Sequence, residues 1–435
     1  MWRFSHRLFR TIAGVGLWVR RRHTRAGLLA LGTLVLTGVL GVDTALTVAY
    51  QIFTVLLALL AAAFVLSQFG DTPVRVQTHV PLSLTVGERF SLQFTVRNVS
   101  NAPLDGVTLH IQLADPRPTL AEFRSRLRFP SYRGWMMLIA ANRVATIEEA
   151  VVPALPARAE VDVVAHGRAL RRGRLRITEI ATARSEALGL MRRLLPAHGS
   201  IDICVLPKRY ALPTLTLPGS RHHQPDGLPH GSSVGDSQEF AGLRDYRPGD
   251  ALQRIHWRSF ARVGKPVVRE YQDEFVARHA LILDTFGAPG LDVVNVVNVV
   301  FEEAVAVAAS FAWTIDTQEC LLDLMFVGDQ VHTFTAGHGF MLPLGLLQVL
   351  AGVSLKREGE LHILIDMLQA RRAQFSACIC ILLCWDDARR QLLDTLRASG
   401  ATVLALLVSP AAPADLPDGI VLLRPGQIEQ DLAAL

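Results

Sequence analysis

The sequence predicts a multi-domain chain with three parts: a transmembrane helical hairpin, an all-β immunoglobulin-like sandwich, and a doubly wound α/β domain. Three observations carry this. Two uncharged apolar stretches, 26–42 and 44–66, stand almost back to back. Apolar residues then alternate with period two through 74–113. From 276 onward, short apolar runs alternate with helix-length segments. The composition agrees. The chain has 435 residues, half of them hydrophobic and only 19% charged, where an ordinary soluble domain has about a quarter charged. That excludes a disordered chain and implies a part solvated by lipid.

Residues 1–25 form an Arg-rich leader. It holds Arg3, Arg7, Arg10, Arg20, Arg21, Arg22 and Arg25, and no acid. The formal net charge of +5 comes from this leader, because the remaining chain has 37 basic and 39 acidic residues. A nucleic-acid-binding body needs a domain-wide basic face, so no nucleic acid partner is expected. Residues 26–69 read as the hairpin. The first stretch sits at the lower limit for a span and the second is ample. A cleaved signal peptide would also begin with arginines and an apolar run, but a second, longer span follows at once. Arginines before the first span and none between the spans put the leader in the cytoplasm. Two crossings return the chain there. The expected topology is therefore two-pass, with the large body cytoplasmic. The cysteines agree. Cys204, Cys320, Cys378, Cys380 and Cys384 are odd in number, lack paired zinc spacing and fall mostly in apolar runs, which suits buried strand thiols in a reducing compartment.

In the β-rich part, 70–206, strands are predicted near 74–80, 82–86, 90–97, 107–113, 147–153, 159–166, 174–184 and 201–206, with a turn at Asn98–Pro103. Turns recur about every ten residues, as in a sandwich. The stretch 114–145 breaks the rhythm and reads as an Arg-rich insertion or loop. Nothing in this part looks catalytic, and a structural or docking module is expected.

Residues 207–275 combine a linker with a dense motif. The Pro/Gly/Ser/His-rich portion, 207–235, holds His222, His223 and His230, too loosely spaced for a metal site. Gly231–Gly235 matches G-x-S-x-G by chance, since that elbow needs a strand before it. The motif follows: EFAGLRDYRPGDALQRIHWRSFARVGKPVVRE, from Glu239 to Glu270. Asp250 is expected to cap a helix over 251–263, with Gln253 completing a capping box. Leu252, Ile255, Phe260 and Val263 would give its apolar face. Arg254, Arg258 and Arg262 would give a cationic stripe, and Gly264 its stop. Seven basic and six acidic residues between Glu239 and Glu274 nearly cancel. The charges therefore serve either an internal ion-pair network at a domain junction or a protein partner, with Trp257 and Tyr246 as anchors.

This motif resembles the signature of the bacterial membrane-protein family catalogued as domain of unknown function 58. The matching residues are Glu239, Phe240, Gly242, Leu243, Arg244, Tyr246, Gly249, Asp250, Arg254, Ile255, Trp257, Ala261, Arg262, Gly264, Val268, Arg269 and Glu270. The order of hairpin, β-rich part, signature and α/β tail is also similar. The resemblance implies no established enzyme activity. It implies a C-terminal region similar to a von Willebrand factor type A domain, and a functional link to MoxR-type AAA+ ATPases. The candidate partner-binding or domain-junction residues are Glu239, Arg244, Tyr246, Asp250, Arg254, Trp257, Arg262, Arg269 and Glu270.

In the tail, 276–435, strands are predicted at 279–284, 319–327, 330–335, 376–385, 402–408 and 420–423. Helices are predicted at 291–314, 340–354, 360–373 and 386–398. Glu302 and Glu303 make 291–315 a soluble helix, since two central carboxylates cost roughly 5–7 kcal/mol in a membrane. The alternation means a mostly parallel sheet with any site at the strands' carboxyl ends. Type A domains often hold Mg²⁺ there on an Asp-x-Ser-x-Ser loop, a Thr and a distal Asp. This chain keeps Asp284 but has Phe286 and Ala288 at the serine positions. Asp386 and Thr335 are the remaining weak candidates, an oxygen set too thin for Mg²⁺. Asp284 and Asp386 would then cap helices or meet the motif's arginines. The expected function is a membrane-anchored interaction protein working with a MoxR-type ATPase and its client. A metal-assisted hydrolase using Asp284 and Asp386, or a passive envelope scaffold, are the alternatives.

Overall fold

A computed structural model describes residues 1–40, 47–69, 71–213, 238–248, 250, 252–273, 277–287, 294–315, 320–328, 330–337, 340–356, 361–370 and 375–435. The chain divides into two compact units. One comprises 1–210 with 290–309 and 347–354, and the other 211–289, 310–346 and 355–435.

The first unit opens with helices. The Arg-rich leader is a helix, α1 (Trp2–Arg22), ended by His23 in extended backbone. Two residues later α2 (Arg25–Leu40) begins, with Thr24 capping it through Gly27 N–H to Thr24 Oγ1 at 3.1 Å, which satisfies one orphan donor. α3 (Thr47–Leu66) follows. The turn expected between the two spans lies outside the described residues. Among the described residues, one helix, Val48–Leu66, is long and apolar enough to cross a membrane, and α2 is shorter. Leu60 and Ala63 of α3 pack with Ala30, Leu31 and Leu34 of α2 and with Leu190 and Met191.

The strands bear out the period-two reading. They are β1 (Val74–His79), β2 (Ser83–Thr85), β3 (Arg89–Asn98) and β4 (Val107–Leu113). The segment read as an insertion or loop instead forms α4 (Leu120–Arg126) and α5 (Tyr132–Asn142), capped by Thr119 and Ser131. Phe123, Trp135, Leu138 and Ile139 are buried there against Trp2, Phe9 and Ala13 of α1. The segment holds helices because α1 covers their apolar face, a tertiary contact that no local periodicity reports. Then come β5 (Ala145–Ile147), β6 (Ala150–Val151), β7 (Glu160–Ala169), β8 (Gly173–Ser185), β9 (Arg192–His198), which sequence reasoning missed, and β10 (Ile201–Leu206). They form sheets β1-β3-β7-β5 and β2-β10-β8-β4-β6, with β9 on β8. Phe94, Leu92, Leu109, Ile177 and Ile180 fill one core between the two.

In the second unit a separate ribbon pairs β11 (Gln238–Asp245) with β12 (Val267–Asp273), and α6 (Trp257–Val263) lies in the connection. The α/β tail has β13 (Ala277–Leu283), α7 (Val294–Thr314), β14 (Cys320–Val327), β15 (Val331–Ala336), α8 (Pro343–Gly352) and α9 (His362–Ala370). It continues with β16 (Ala377–Leu382), α10 (Asp387–Ala398), β17 (Thr402–Val408), β18 (Ile420–Leu423) and α11 (Ile428–Ala433). The sheet order is β15-β14-β13-β16-β17-β18. All pairs are parallel except β14–β15. The order reverses on either side of β13, so the switch point lies at its carboxyl end. One face packs under Leu364 and Leu368 of α9 and Leu392, Leu393 and Leu396 of α10. Pro343 starts α8, the position where its missing N–H costs nothing. The acids of α7 have soluble partners inside the first unit: Glu302 pairs with buried Arg172, and Tyr210 donates to Glu303.

Candidate functional site

The signature residues fold into a small two-stranded motif with a short helix in its connection. β11 and β12 pair antiparallel from Gln238↔Asp273 to Asp245↔Val267, with an irregularity between Phe240 and Gly242. The chain then turns back through Pro248. Asp250 does not cap a helix as expected. Its carboxylate accepts two bonds from Arg244, at 2.7 Å each, and one from the Arg247 N–H at 2.8 Å. These donors hold the Asp250 carboxyl down at about 2. With its cap engaged elsewhere, the expected helix over 251–263 divides. Leu252–Arg254 make a single 3-10 turn. Ile255 takes extended backbone to bridge Val268, and His256 N–H bonds Val267 O at 2.8 Å. Only at Trp257 does α6 start. Gly264 ends it at φ 73°, as predicted, in the left-handed region glycine adopts without strain.

The apolar face expected to be buried is mostly outside. Only Ile255 of the four residues assigned to it is buried, while Leu252, Phe260 and Val263 are exposed. Trp257 is 61% exposed and meets Phe260 edge to face at 6.0 Å. Arg258, Arg262 and Lys265 are exposed alongside. Arg254 lies in the 3-10 turn, so it does not join Arg258 and Arg262 in one helical stripe. Of the other candidates, Tyr246 is half-buried and Arg269 is exposed on β12. Glu239 and Glu270 sit on β11 and β12. The side chains of Glu239, Arg254 and Glu270 lie outside the described residues, as do His222, His223, His230 and Gly231–Gly235.

At the carboxyl end of β13, Asp284 is buried and fully engaged. Oδ1 accepts from Phe286 N–H (2.9 Å) and Arg389 Nη2 (3.2 Å). Oδ2 accepts from Leu383 N–H (3.2 Å) and Arg389 Nε (3.0 Å). Arg389 is itself buried and also donates to Phe286 O at 3.0 Å and Asp386 Oδ2 at 2.5 Å. Asp386 caps α10 through Arg389 N–H at 3.0 Å. Burial pulls the Arg389 guanidinium down, but the Asp284 charge and hydrogen bonds more than reverse this, so its pKa is raised and the cation is held. Thr335 is elsewhere. It donates to Asp323 at 2.6 Å, and Asp323 is in register with Ala280, four residues before Asp284. These residues do not fit Mg²⁺. The site already contains a cation, and its carboxylate oxygens are saturated by donors. The expectation that Asp284 meets an arginine holds, but the arginine comes from α10 and not from the signature. Sequence spacing carried no signal for Arg389.

The five cysteines are free thiols. Burial pushes Cys378 and Cys384 up to about 12, which leaves negligible thiolate at neutral pH. Within the first unit a cavity of about 750 Å³ is lined by arginines of α1 and of the sheets. Its principal cations are already engaged: Arg192 by Glu149, Arg21 by Gln112 and Arg117 by Asp115.

Fold and motif together define a class: a chain with an apolar helix, then several β-sheets, then an α/β region with an exposed aromatic and cationic motif. Residues 242–430 match the model of the family described as protein of unknown function DUF58. No curated protein matches. Among solved structures, the chain is similar to the CARDB domain of a Pyrococcus furiosus protein, at 11% identity and TM-score 0.18, covering 31% of this chain and 94% of that one. It is also similar to Salmonella alpha-2-macroglobulin, at 18% identity and TM-score 0.17, covering 34% of this chain and only 8% of that one. Likenesses this weak carry no argument about the fold.

Proposed function

We propose that the chain is a membrane-anchored adaptor that presents the signature motif to a protein partner. The observation behind this is the exposure of Leu252, Trp257, Phe260 and Val263 beside Arg258, Arg262 and Lys265. Core packing does not explain these exposed aromatic and aliphatic side chains. Trp and Arg together are the usual energetic centre of a protein interface. In the terms of the family resemblance, the partner is a MoxR-type AAA+ ATPase acting on a client complex. The finer fold reading accompanies this proposal. The sandwich is of immunoglobulin-like type, the parallel sheet is type A-like with Arg389 in place of a metal, and α2 and α3 form a two-pass anchor with the body in the cytoplasm. Alternating core positions in β3 and β4 support the first part, and the switch point at β13 the second. The leader arginines support the third.

The test is binding between the detergent-solubilised full chain and the purified ATPase. Trp257→Ala and Arg262→Glu should each weaken it at least about tenfold, a loss of ~1.4 kcal/mol or more, with unchanged circular dichroism. Unchanged affinity in both variants, or no binding by the parent chain, returns the protein to the passive-scaffold reading.

A further inference from the structure

Helix α1 shows three faces. Trp2, Phe9 and Ala13 pack inward on the cluster of α4 and α5, and His6 Nε2 donates to Pro118 O at 3.1 Å. At the other end Arg192 donates to the carbonyls of Arg21 (2.6 Å) and Arg20 (3.3 Å), satisfying the last turn. The helix is therefore fixed along its length. Phe4, Leu8, Ile12 and Val15 are all exposed, and their spacings of four, four and three put them on one stripe. Arg3, Arg7 and Arg10 are exposed along one flank of that stripe. The neighbouring α4–α5 segment continues the pattern, exposing Phe129, Met136 and Met137 with Arg128 and Arg133.

We infer that α1 lies flat in the headgroup region of the bilayer that α2 and α3 enter, with its apolar stripe against acyl chains and its arginines on anionic lipid phosphates. This rests on the membrane anchor proposed above. The occupant follows from continuity. Only His23 and Thr24 separate α1 from α2, so the end of α1 is held within roughly 10 Å of the anchor. A stripe of apolar residues with an arginine flank, no acid and a fixed orientation is what an interfacial helix requires. Arginines beside an anionic leaflet add electrostatic attraction. The helix would thus hold the first unit against the membrane, fixing its orientation as well as tethering it.

The test uses the full chain in nanodiscs of phosphatidylcholine, with or without phosphatidylglycerol, carrying a fluorescent amino acid at Ile12 or, as a control in α3, at Leu57. The probe at Ile12 should lose fluorescence to lipids brominated near the headgroup end of the acyl chain and be shielded from iodide. The probe at Leu57 should be quenched by midplane bromines. Adding phosphatidylglycerol should deepen the quenching at Ile12, and the Arg3→Gln, Arg7→Gln, Arg10→Gln variant should lose that increment. A probe at Ile12 open to iodide while Leu57 is in lipid overturns the inference and leaves the anchor standing. Both probes in water overturn the anchor as well. A probe at Ile12 shielded from iodide but untouched by bromine means that protein covers the stripe, and also overturns the inference. An increment unchanged in the triple variant removes the anionic-lipid assignment.

Discussion

Arg389 is buried against Asp284 at the sheet's carboxyl edge, and its removal should be costly. Arg389→Leu leaves Asp284 buried with only two backbone donors. Breaking a buried pair by deleting one partner typically costs about 3–5 kcal/mol, and that loss should appear in urea unfolding of the detergent-solubilised chain. If instead Arg389 only caps, the variant should lose no more than about 1 kcal/mol. Isothermal titration of the parent with Mg²⁺ should show no heat attributable to this site. Asp250 supplies the pH dependence at this scale. Its carboxyl is held at about 2 by the Arg244 hydrogen bonds and the Arg247 N–H, below the ordinary value of 3.8. A depressed pKa means the clamp's contribution is complete above about pH 4 and disappears as pH falls through about 2. A ¹³C titration of the Asp250 carboxyl should have its midpoint near the lower value, and Arg244→Gln should move it upward. The sequence made Asp284 and Asp386 legible as an edge pair because they follow strands. Arg389 was not legible, since which residue of α10 turns inward depends on the helix's rotation over the sheet.

At the scale of elements, Gly27 shows how the first unit holds its helices. A Cβ there would lie 1.9 Å from Leu190 O, so α2 can approach the loop before β9 only because the position is glycine. Thr24 adds a bond to Gly189 O at 2.6 Å. Gly27→Ala should force the two apart. Overpacking of this kind costs about 1–3 kcal/mol, which outweighs alanine's better helix propensity of roughly 1 kcal/mol. Faster hydrogen exchange at Leu190 and Met191 is the readout, and unchanged exchange would mean the loop simply moves aside. Strands with one buried face, such as β3 and β4, were read correctly because alternation is a local signal. β9 was missed because its residues are nearly all half-buried or exposed and carry little alternation. α4 and α5 were missed because their helicity is completed by α1, far away in sequence. The signature helix was placed six residues too early because a carboxylate that can cap was taken by Arg244 instead. That competition is decided by a side chain across the turn, and a capping pattern cannot reveal it.

For the whole molecule, the decisive quantity under the two-pass anchor proposed above is which side of the membrane carries the two units. Helix α3 is ample for a span, but α2 has 16 residues, about 24 Å at 1.5 Å per residue, against a hydrocarbon core of roughly 30 Å. A short first span is tolerated where flanking arginines reach toward the headgroups, and Arg20, Arg21, Arg22 and Arg25 flank it on one side only. In that proposed arrangement the same four residues set both depth and orientation. In inverted inner-membrane vesicles, added protease should cut the β-rich and α/β units, while intact spheroplasts should protect them. Replacing the four arginines with glutamine removes most of the bias and should yield a mixed population, part of it protected in inverted vesicles. If the parent chain is cut in spheroplasts instead, the motif around Trp257 faces away from any cytosolic ATPase. The exposed aromatic surface then needs a partner on the other side of the membrane, and the thiols at Cys378, Cys380 and Cys384 would remain reduced only because burial hides them.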